Sequence, residues 1–191
     1  MVVTSAPDLP VLLIYNIDPA WSPAEREDAH RDSRRIGFAM RRQGHSVDFL
    51  PVCDSDFTGV LSGYEPRDVL VFNWCEGVPG IECSEALVAE MLDKLRFTYT
   101  GASPAALQLS YEKDRVKRLL ASHGVPTPRW KTVTSPRENG WERFPAIVKP
   151  AREHCSHGID PGAVVTGAAD LKRRIAYVIE TFKQPALIED F

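Results

Sequence analysis

The chain has 191 residues, 43% hydrophobic and 26% charged, and its 23 basic and 26 acidic side chains leave a formal net charge of -3. That is enough chain to bury a core in one large or two small domains; with no basic surplus and no apolar run near the roughly 20 residues of a bilayer span, neither a nucleic-acid nor a membrane partner is expected. The four cysteines, Cys53, Cys75, Cys83 and Cys155, lack zinc-site spacing and the density of a secreted disulfide scaffold, and residues 1–8 carry no basic leader, so a reducing cytoplasm is the expected compartment.

Val11-Leu12-Leu13-Ile14-Tyr15 is a continuous apolar run, the pattern of a strand covered on both faces in a parallel sheet. Residues 24–43 read as a helix with Ile36, Ala39 and Met40 inward, stopped by Gly44. Val47-Asp48-Phe49-Leu50 makes a second strand, so this stretch forms a βαβ unit, a crossover that is almost always right-handed. Val69 to Asn73 supplies a third strand, and residues 82–95 a helix with Ala86, Leu87, Met91 and Leu92 on one side. The result is an open, Rossmann-like α/β sheet. Ligands of such sheets sit beyond the carboxyl ends of the strands, which makes Tyr15-Asn16, Pro51 to Cys53 and Asn73 to Gly77 candidate site loops.

The pattern changes near Ser110, dividing the chain into residues 1–110 and 111–191. Residues 112–123 read as a helix closed by Gly124, and Pro126-Thr127-Pro128 forces an extended exit. Trp130 to Thr134 alternates as a half-exposed strand does, residues 135–142 are a polar loop, and a strand containing Lys149 follows. Ala163-Val164-Val165 is a short strand, residues 168–182 a helix with Leu171, Ile175, Val178 and Ile179 aligned, and Ala186 to Glu189 a last strand. This order suggests an α+β unit with a largely antiparallel sheet.

Lys149 is the most informative single residue. An ammonium in an apolar strand is costly to desolvate unless it faces water or an anion, so it either snorkels to the surface or grips a phosphate. Lys113 is either an exposed helix-start residue or a second such cation. Glu189 ends an apolar strand either as an exposed acid or as an acceptor for an amine. Glu25, at a helix start, is favoured there by the helix dipole alone. His154, Cys155 and His157 lack a nearby fourth ligand, which favours a mobile loop over a zinc site. Cys75 and Cys83 have no adjacent histidine and read as buried reduced thiols, and Trp21, Trp74, Trp130 and Trp141 as packing residues.

Taken in order, Asn73 to Gly77, Phe97 to Ser103, Lys113 to Lys117, Gly124 to Pro128, Phe144 to Pro150 and Leu187 to Phe191 resemble D-alanine–D-alanine ligases and related ATP-grasp enzymes. The resemblance runs in register from about Asn73 to the last residue. It implies a pre-ATP-grasp domain followed by the first ATP-grasp subdomain, and an ATP-dependent carboxylate–amine ligase that works through an acyl phosphate. It puts Lys113 and Lys149 on the nucleotide phosphates, where fixed cations offset the charge of a moving phosphoryl group. It makes residues 154–158 a loop folding over ATP, with Ser156 and Gly158 kept and His154 and Cys155 replacing a glycine and a serine. Glu189 then accepts from the adenine amino group, Asp190 and Phe191 follow along the adenine pocket, and Glu25 binds the ammonium of an amino-acid substrate. A homodimer is implied by the same resemblance.

The residues that hold magnesium in this family are expected downstream of Phe191, with the second ATP-grasp subdomain. The expectation is therefore an incomplete ligase, inactive by itself, because alignment of reactants in one closed site is worth about 7–11 kcal/mol of the barrier. The alternative is a non-catalytic or split module completed by a partner chain.

Overall fold

Leu12, Leu13 and Ile14 are fully buried at the centre of a four-stranded sheet, which accounts for their unbroken apolar run. In the computed structural model, which describes residues 9–138, 140–154 and 156–191, strand β1 (Val11–Asn16) lies between β2 (Val47–Val52) and β3 (Leu70–Trp74). A short β4 (Thr98–Tyr99) extends the sheet beyond β3, all four strands are parallel, and the order is β2-β1-β3-β4. Leu12 and Ile14 join one core with Val71, Val88 and Leu92, while Leu13 and Tyr15 join a second with Ile36 and Met40. Each fully buried side chain of this size stabilises the fold by about 1.5–3 kcal/mol.

Helix α1 (Pro23–Arg42) packs close to β2 because Gly37 has no side chain: a Cβ there would stand 2.3 Å from Phe49 Cζ. It ends where expected, Gly44 adopting φ of 98° and donating its N–H to Arg41 O at 3.0 Å. The sequence reading overlooked the one-turn α2 (Phe57–Leu61), β4 and the helix α4 (Pro104–Tyr111). The helix expected over 82–95 is α3 (Glu85–Lys94). Its start is delayed because the buried Ser84 hydroxyl accepts from Val78 N at 2.7 Å and donates to Ile81 O at 2.6 Å, holding the preceding residues in a turn.

The chain divides into two units, Met1–Leu107 and Gln108–Phe191, with the division inside α4. The second unit contains α5 (Lys113–Ser122), β5 (Trp130–Val133), β6 (Ala146–Pro150), β7 (Val164–Val165), α6 (Ala168–Phe182) and β8 (Ala186–Asp190). Its sheet has the order β5-β8-β6-β7 with every neighbour antiparallel. Ala146, Val148, Ala186 and Ile188 form one core with Leu171, Ile175 and Val178 of α6. Because side chains alternate along a strand, Lys149, Leu187 and Glu189 emerge on the opposite face. No helix among the described residues is long and apolar enough to cross a membrane.

Candidate functional site

Residues singled out from the sequence converge on the sheet face of the second unit that turns away from α6. In the β6–β8 pair Lys149 lies opposite Leu187 and Glu189 opposite Ile147, so Lys149 and Glu189 are diagonal neighbours within reach of long side chains. The Lys149 ammonium pairs with Glu189 Oε2, and the Lys117 ammonium of α5 pairs with Oε1. Glu189 and Lys117 are 6% and 7% exposed, so Glu189 is not an exposed strand-end acid. Lys117 also donates to Thr127 Oγ1 at 2.8 Å and to Pro128 O at 3.4 Å. Burial by itself raises the Glu189 carboxyl, but the hydrogen bonds and charges of Lys117 and Lys149 outweigh it and hold the group below the ordinary carboxylate value.

Lys113 stands one helical turn before Lys117 and donates to the backbone carbonyl of Glu153. Burial lowers its affinity for a proton and the charge of Lys149 lowers it further; Glu153 and Glu189 only partly offset the effect. Lys113 and Lys149, two ammoniums lining one cavity, favour an anion between them.

Lys113, Lys149 and Ser110 line two cavities that adjoin at these three residues. One, of about 200 Å³, is bounded by Pro150, Glu153, His154, Ser156, His157 and Ile159. The other, of about 290 Å³, is bounded by Val116, Lys117, Leu120, Thr127, Leu187 and Glu189. The first cavity carries Glu153, His154, Ser156 and His157, the second Val116, Leu120 and Leu187 beside the buried Glu189 carboxylate, and the lysines stand where the two adjoin. Apolar walls with a few placed polar groups are the usual make-up of a small-molecule site.

His154, Ser156 and His157 line the first of these cavities. Gly158 has φ of 76°, and a Cβ there would lie 2.6 Å from Pro150 Cγ and 2.7 Å from Phe182 Cζ, so the close approach requires glycine. Its carbonyl accepts from Arg174 Nη2 at 2.6 Å, while Arg174 Nη1 contacts both Asp160 oxygens at 3.0 and 2.9 Å. The buried Arg174 therefore ties this loop to α6. Ser156 is exposed and lines the cavity. The His154 ring packs on Tyr111 at 3.8 Å and that of His157 on Phe182 at 5.1 Å. Cys155 lies outside the described residues, among which no group of three or more His, Cys, Asp or Glu side chains is placed to hold a metal ion.

Asp190 and Phe191, expected along an adenine pocket, lie outside both cavities. Asp190 follows Glu189 on the strand, so its side chain takes the other face, where Arg143 Nε meets its oxygens at 2.8 and 3.1 Å. Phe191 is 70% exposed, and neither residue lines the two cavities.

In the first unit a cleft of about 430 Å³ opens at the carboxyl ends of β1 and β3, lined by Asn16, Asp18, Trp21 and residues 76–82. Two of the three candidate loops meet there; Pro51 to Cys53 does not line it. Asn16 Oδ1 accepts from Glu76 N at 3.0 Å and Asp18 Oδ2 from Gly80 N at 3.1 Å, which fixes the loop after β3. Glu25 does not line this cleft. It completes a capping box on α1, its Oε2 accepting from Ser22 N at 2.8 Å while Ser22 Oγ accepts from Glu25 N at 3.3 Å. Cys75 is buried and its thiol is pushed up to about 12, inert at neutral pH. Cys83 is exposed, and so is Trp74 at 45%, against the expectation of buried roles; Trp74 ends β3 and Cys83 stands in the loop that leads to α3.

The sequence reading missed Lys117 and Arg174. Lys117 had a signal: it stands four residues after Lys113, which puts both ammoniums on one helix face. Arg174 had none, because a charged helix residue reads as solvated.

No protein-family model matches the chain. It is 30% identical over 173 residues to a D-alanine–D-alanine ligase of Aquifex aeolicus, covering 88% of this chain and 55% of that protein. It is 32% identical over 186 residues to one of Maridesulfovibrio salexigens, covering 95% and 57%. Among solved structures, the D-alanine–D-alanine ligase of Bacillus anthracis complexed with ATP superimposes with a TM-score of 0.65 at 16% identity, over 97% of this chain and 57% of that one. The chain spans about half the length of the curated relatives it matches. Over the part of their length that it spans, the chain is similar in sequence to D-alanine–D-alanine ligases and shares the fold of their solved structures.

Proposed function

We propose that these 191 residues carry the ATP-gripping portion, and part of the substrate side, of an ATP-dependent carboxylate–amine ligase of the D-alanine–D-alanine ligase type. One observation carries the reading: Lys113 and Lys149 stand where two cavities adjoin, one lined also by Ser156 and the other by Val116, Leu120, Leu187 and Glu189. That arrangement suits a nucleotide, with phosphates on the lysines and the Ser156 loop, and the base among Val116, Leu120 and Leu187 beside Glu189. The lysines bind and orient the phosphates, and offset negative charge as a carboxylate takes the γ-phosphoryl group to form an acyl phosphate. An amine then attacks that acyl group and releases phosphate. Magnesium accompanies ATP in the proposed reaction. Among the described residues no group of three or more His, Cys, Asp or Glu side chains is placed to hold it.

Residues 1–110 form the proposed pre-ATP-grasp domain and residues 111–191 the first ATP-grasp subdomain. Glu25 is the proposed ligand for a substrate ammonium, its cap bond engaging Oε2. A small amino acid or acid is the proposed substrate, a homodimer the proposed assembly and the cytoplasm the proposed compartment.

Calorimetric titration of the purified chain with ATP and Mg²⁺ tests the reading. Binding that is lost in Lys149→Ala supports a nucleotide site. No binding at millimolar ATP overturns it and favours a module that docks a partner chain.

A further inference from the structure

Lys117 and Lys149 hold the same carboxylate in unequal ways. Lys117 is buried and directs its ammonium at three acceptors: Glu189 Oε1, Thr127 Oγ1 and Pro128 O. An ammonium has three donors, so this one is saturated and fixed. Lys149 has more exposure, 20% of its side chain, lines both cavities, and meets Glu189 at Oε2 alone among the described residues. It is the partner that a competing anion would draw away. A phosphate on the Lys113 side would pull Lys149 from Glu189 and leave Oε2 without a donor in a buried, apolar compartment. A buried carboxylate oxygen stripped of its partner is costly, and more so if the whole charge is left uncompensated. Lys117 removes the second part of that cost, because it stays on Oε1 and keeps the carboxylate paired and oriented.

We propose that Lys117 is a positioning residue that fixes Glu189, so that the oxygen given up by Lys149 on phosphate binding becomes the acceptor that selects a base bearing an exocyclic amine. Phosphate capture and base recognition are then one exchange: Lys149 leaves Oε2 for a phosphate, and the amine of the base takes its place. A base that presents a carbonyl at that position meets a carboxylate oxygen and is rejected, because two acceptors face each other. This rests on the nucleotide reading above, in which Glu189 already faces the base, and it adds Lys117 as the residue that holds Glu189 and the exchange of partners at Oε2.

The test compares ATP, GTP and inorganic tripolyphosphate as ligands of the full 191-residue chain and its Lys117→Met and Lys117→Arg variants, by calorimetry with Mg²⁺ present. The wild-type chain is expected to prefer ATP to GTP. Lys117→Met is expected to reduce that preference about tenfold or more, the size of one charged hydrogen bond in a site built to make it. Lys117→Arg, which keeps the cation, is expected to restore most of it. If Lys117→Met does not fold, Thr127→Val takes away one of the three acceptors holding Lys117 and should produce a smaller loss in the same direction. Binding of both nucleotides with an ATP-to-GTP ratio unchanged in the folded variant overturns the proposal and leaves the nucleotide site standing. A wild-type chain that binds neither nucleotide nor tripolyphosphate overturns the nucleotide reading itself. A merely structural Lys117 would lower the melting temperature without moving the ratio.

Discussion

Lys149 and Glu189 sit diagonally across the β6–β8 pair, and the ammonium of one meets Oε2 of the other on the sheet face away from α6. The pair is part of a wider charge arrangement in which Lys113 adds a third ammonium and Lys117 fixes the far oxygen. Removing one member therefore changes anion binding and stability in different proportions, which makes the roles separable.

Lys149→Met should weaken ATP binding about tenfold or more, the loss of one charge-assisted phosphate interaction. Glu189 keeps Lys117, so the fold should survive, and circular dichroism of the variant checks that. Tripolyphosphate should lose affinity in parallel, because the Lys149 ammonium grips phosphate and not the base.

Glu189 links stability to acid. Its carboxyl is held below the ordinary value of 4.5 by Lys117 and Lys149. A carboxyl lowered in the folded state binds its proton less readily than in the unfolded chain, so its contribution is fully present above about pH 4.5 and fades as pH falls through the lowered folded value. Urea unfolding at a series of pH values should show wild-type stability falling across this acid window more steeply than that of Glu189→Gln. Equal slopes would mean that the lysine pairs are not formed in solution.

Lys113 has the opposite sense. Burial and Lys149 lower its proton affinity, so the folded chain holds this proton less well than the unfolded chain does. The unliganded fold should therefore gain stability as pH rises through the lowered value toward 10.5. Lys113→Met should leave the melting temperature at neutral pH unchanged or raised while ATP affinity falls about tenfold or more. A large fall in melting temperature would assign Lys113 to structure instead.

Gly158→Ala combines φ of 76° with a Cβ 2.6 Å from Pro150 Cγ. Strain at such a φ is of order 1–3 kcal/mol, and overpacking adds to it. Urea unfolding should show at least about 1 kcal/mol of destabilisation, and the displaced loop should weaken ATP binding. Gly167→Ala, where a Cβ meets nothing within 4 Å, is the control and should change nucleotide affinity little.

The capping box gives a local check. Ser22→Ala removes the hydroxyl that accepts from Glu25 N and should cost about 1 kcal/mol of stability, and Glu25→Ala, which removes the reciprocal bond, should also destabilise α1. Glu25→Gln keeps an amide oxygen for Ser22 N–H and should cost less. A fall in amino-acid affinity in Glu25→Gln beyond its effect on stability is the expected sign of an ammonium ligand.

Local pattern was enough for most of the architecture. An unbroken apolar run such as Val11–Tyr15 has one economical solution, a strand covered on both faces, and the period of residues 168–182 has one too, a helix lying on a sheet. The motif order from Asn73 onward was enough to reveal the likeness to D-alanine–D-alanine ligases, and Lys149 in an apolar strand was enough to raise a phosphate site, because hydrophobic periodicity and the cost of burying a charge are written into consecutive residues. Tertiary structure decided what the charges do. Glu189 and Asp190 are neighbours in sequence, yet strand alternation sends one to Lys117 and Lys149 and the other to Arg143. Glu25, singled out from the sequence at a helix start, is tied into a helix cap, and Arg174, which reads as an ordinary surface residue, is a buried clamp on the Gly158 loop. Lys117, 72 residues before Glu189 in the chain, becomes its fixed partner only when α5 lies over the sheet. A charged side chain takes its meaning from the groups that desolvate and pair it, and those come from distant parts of the chain.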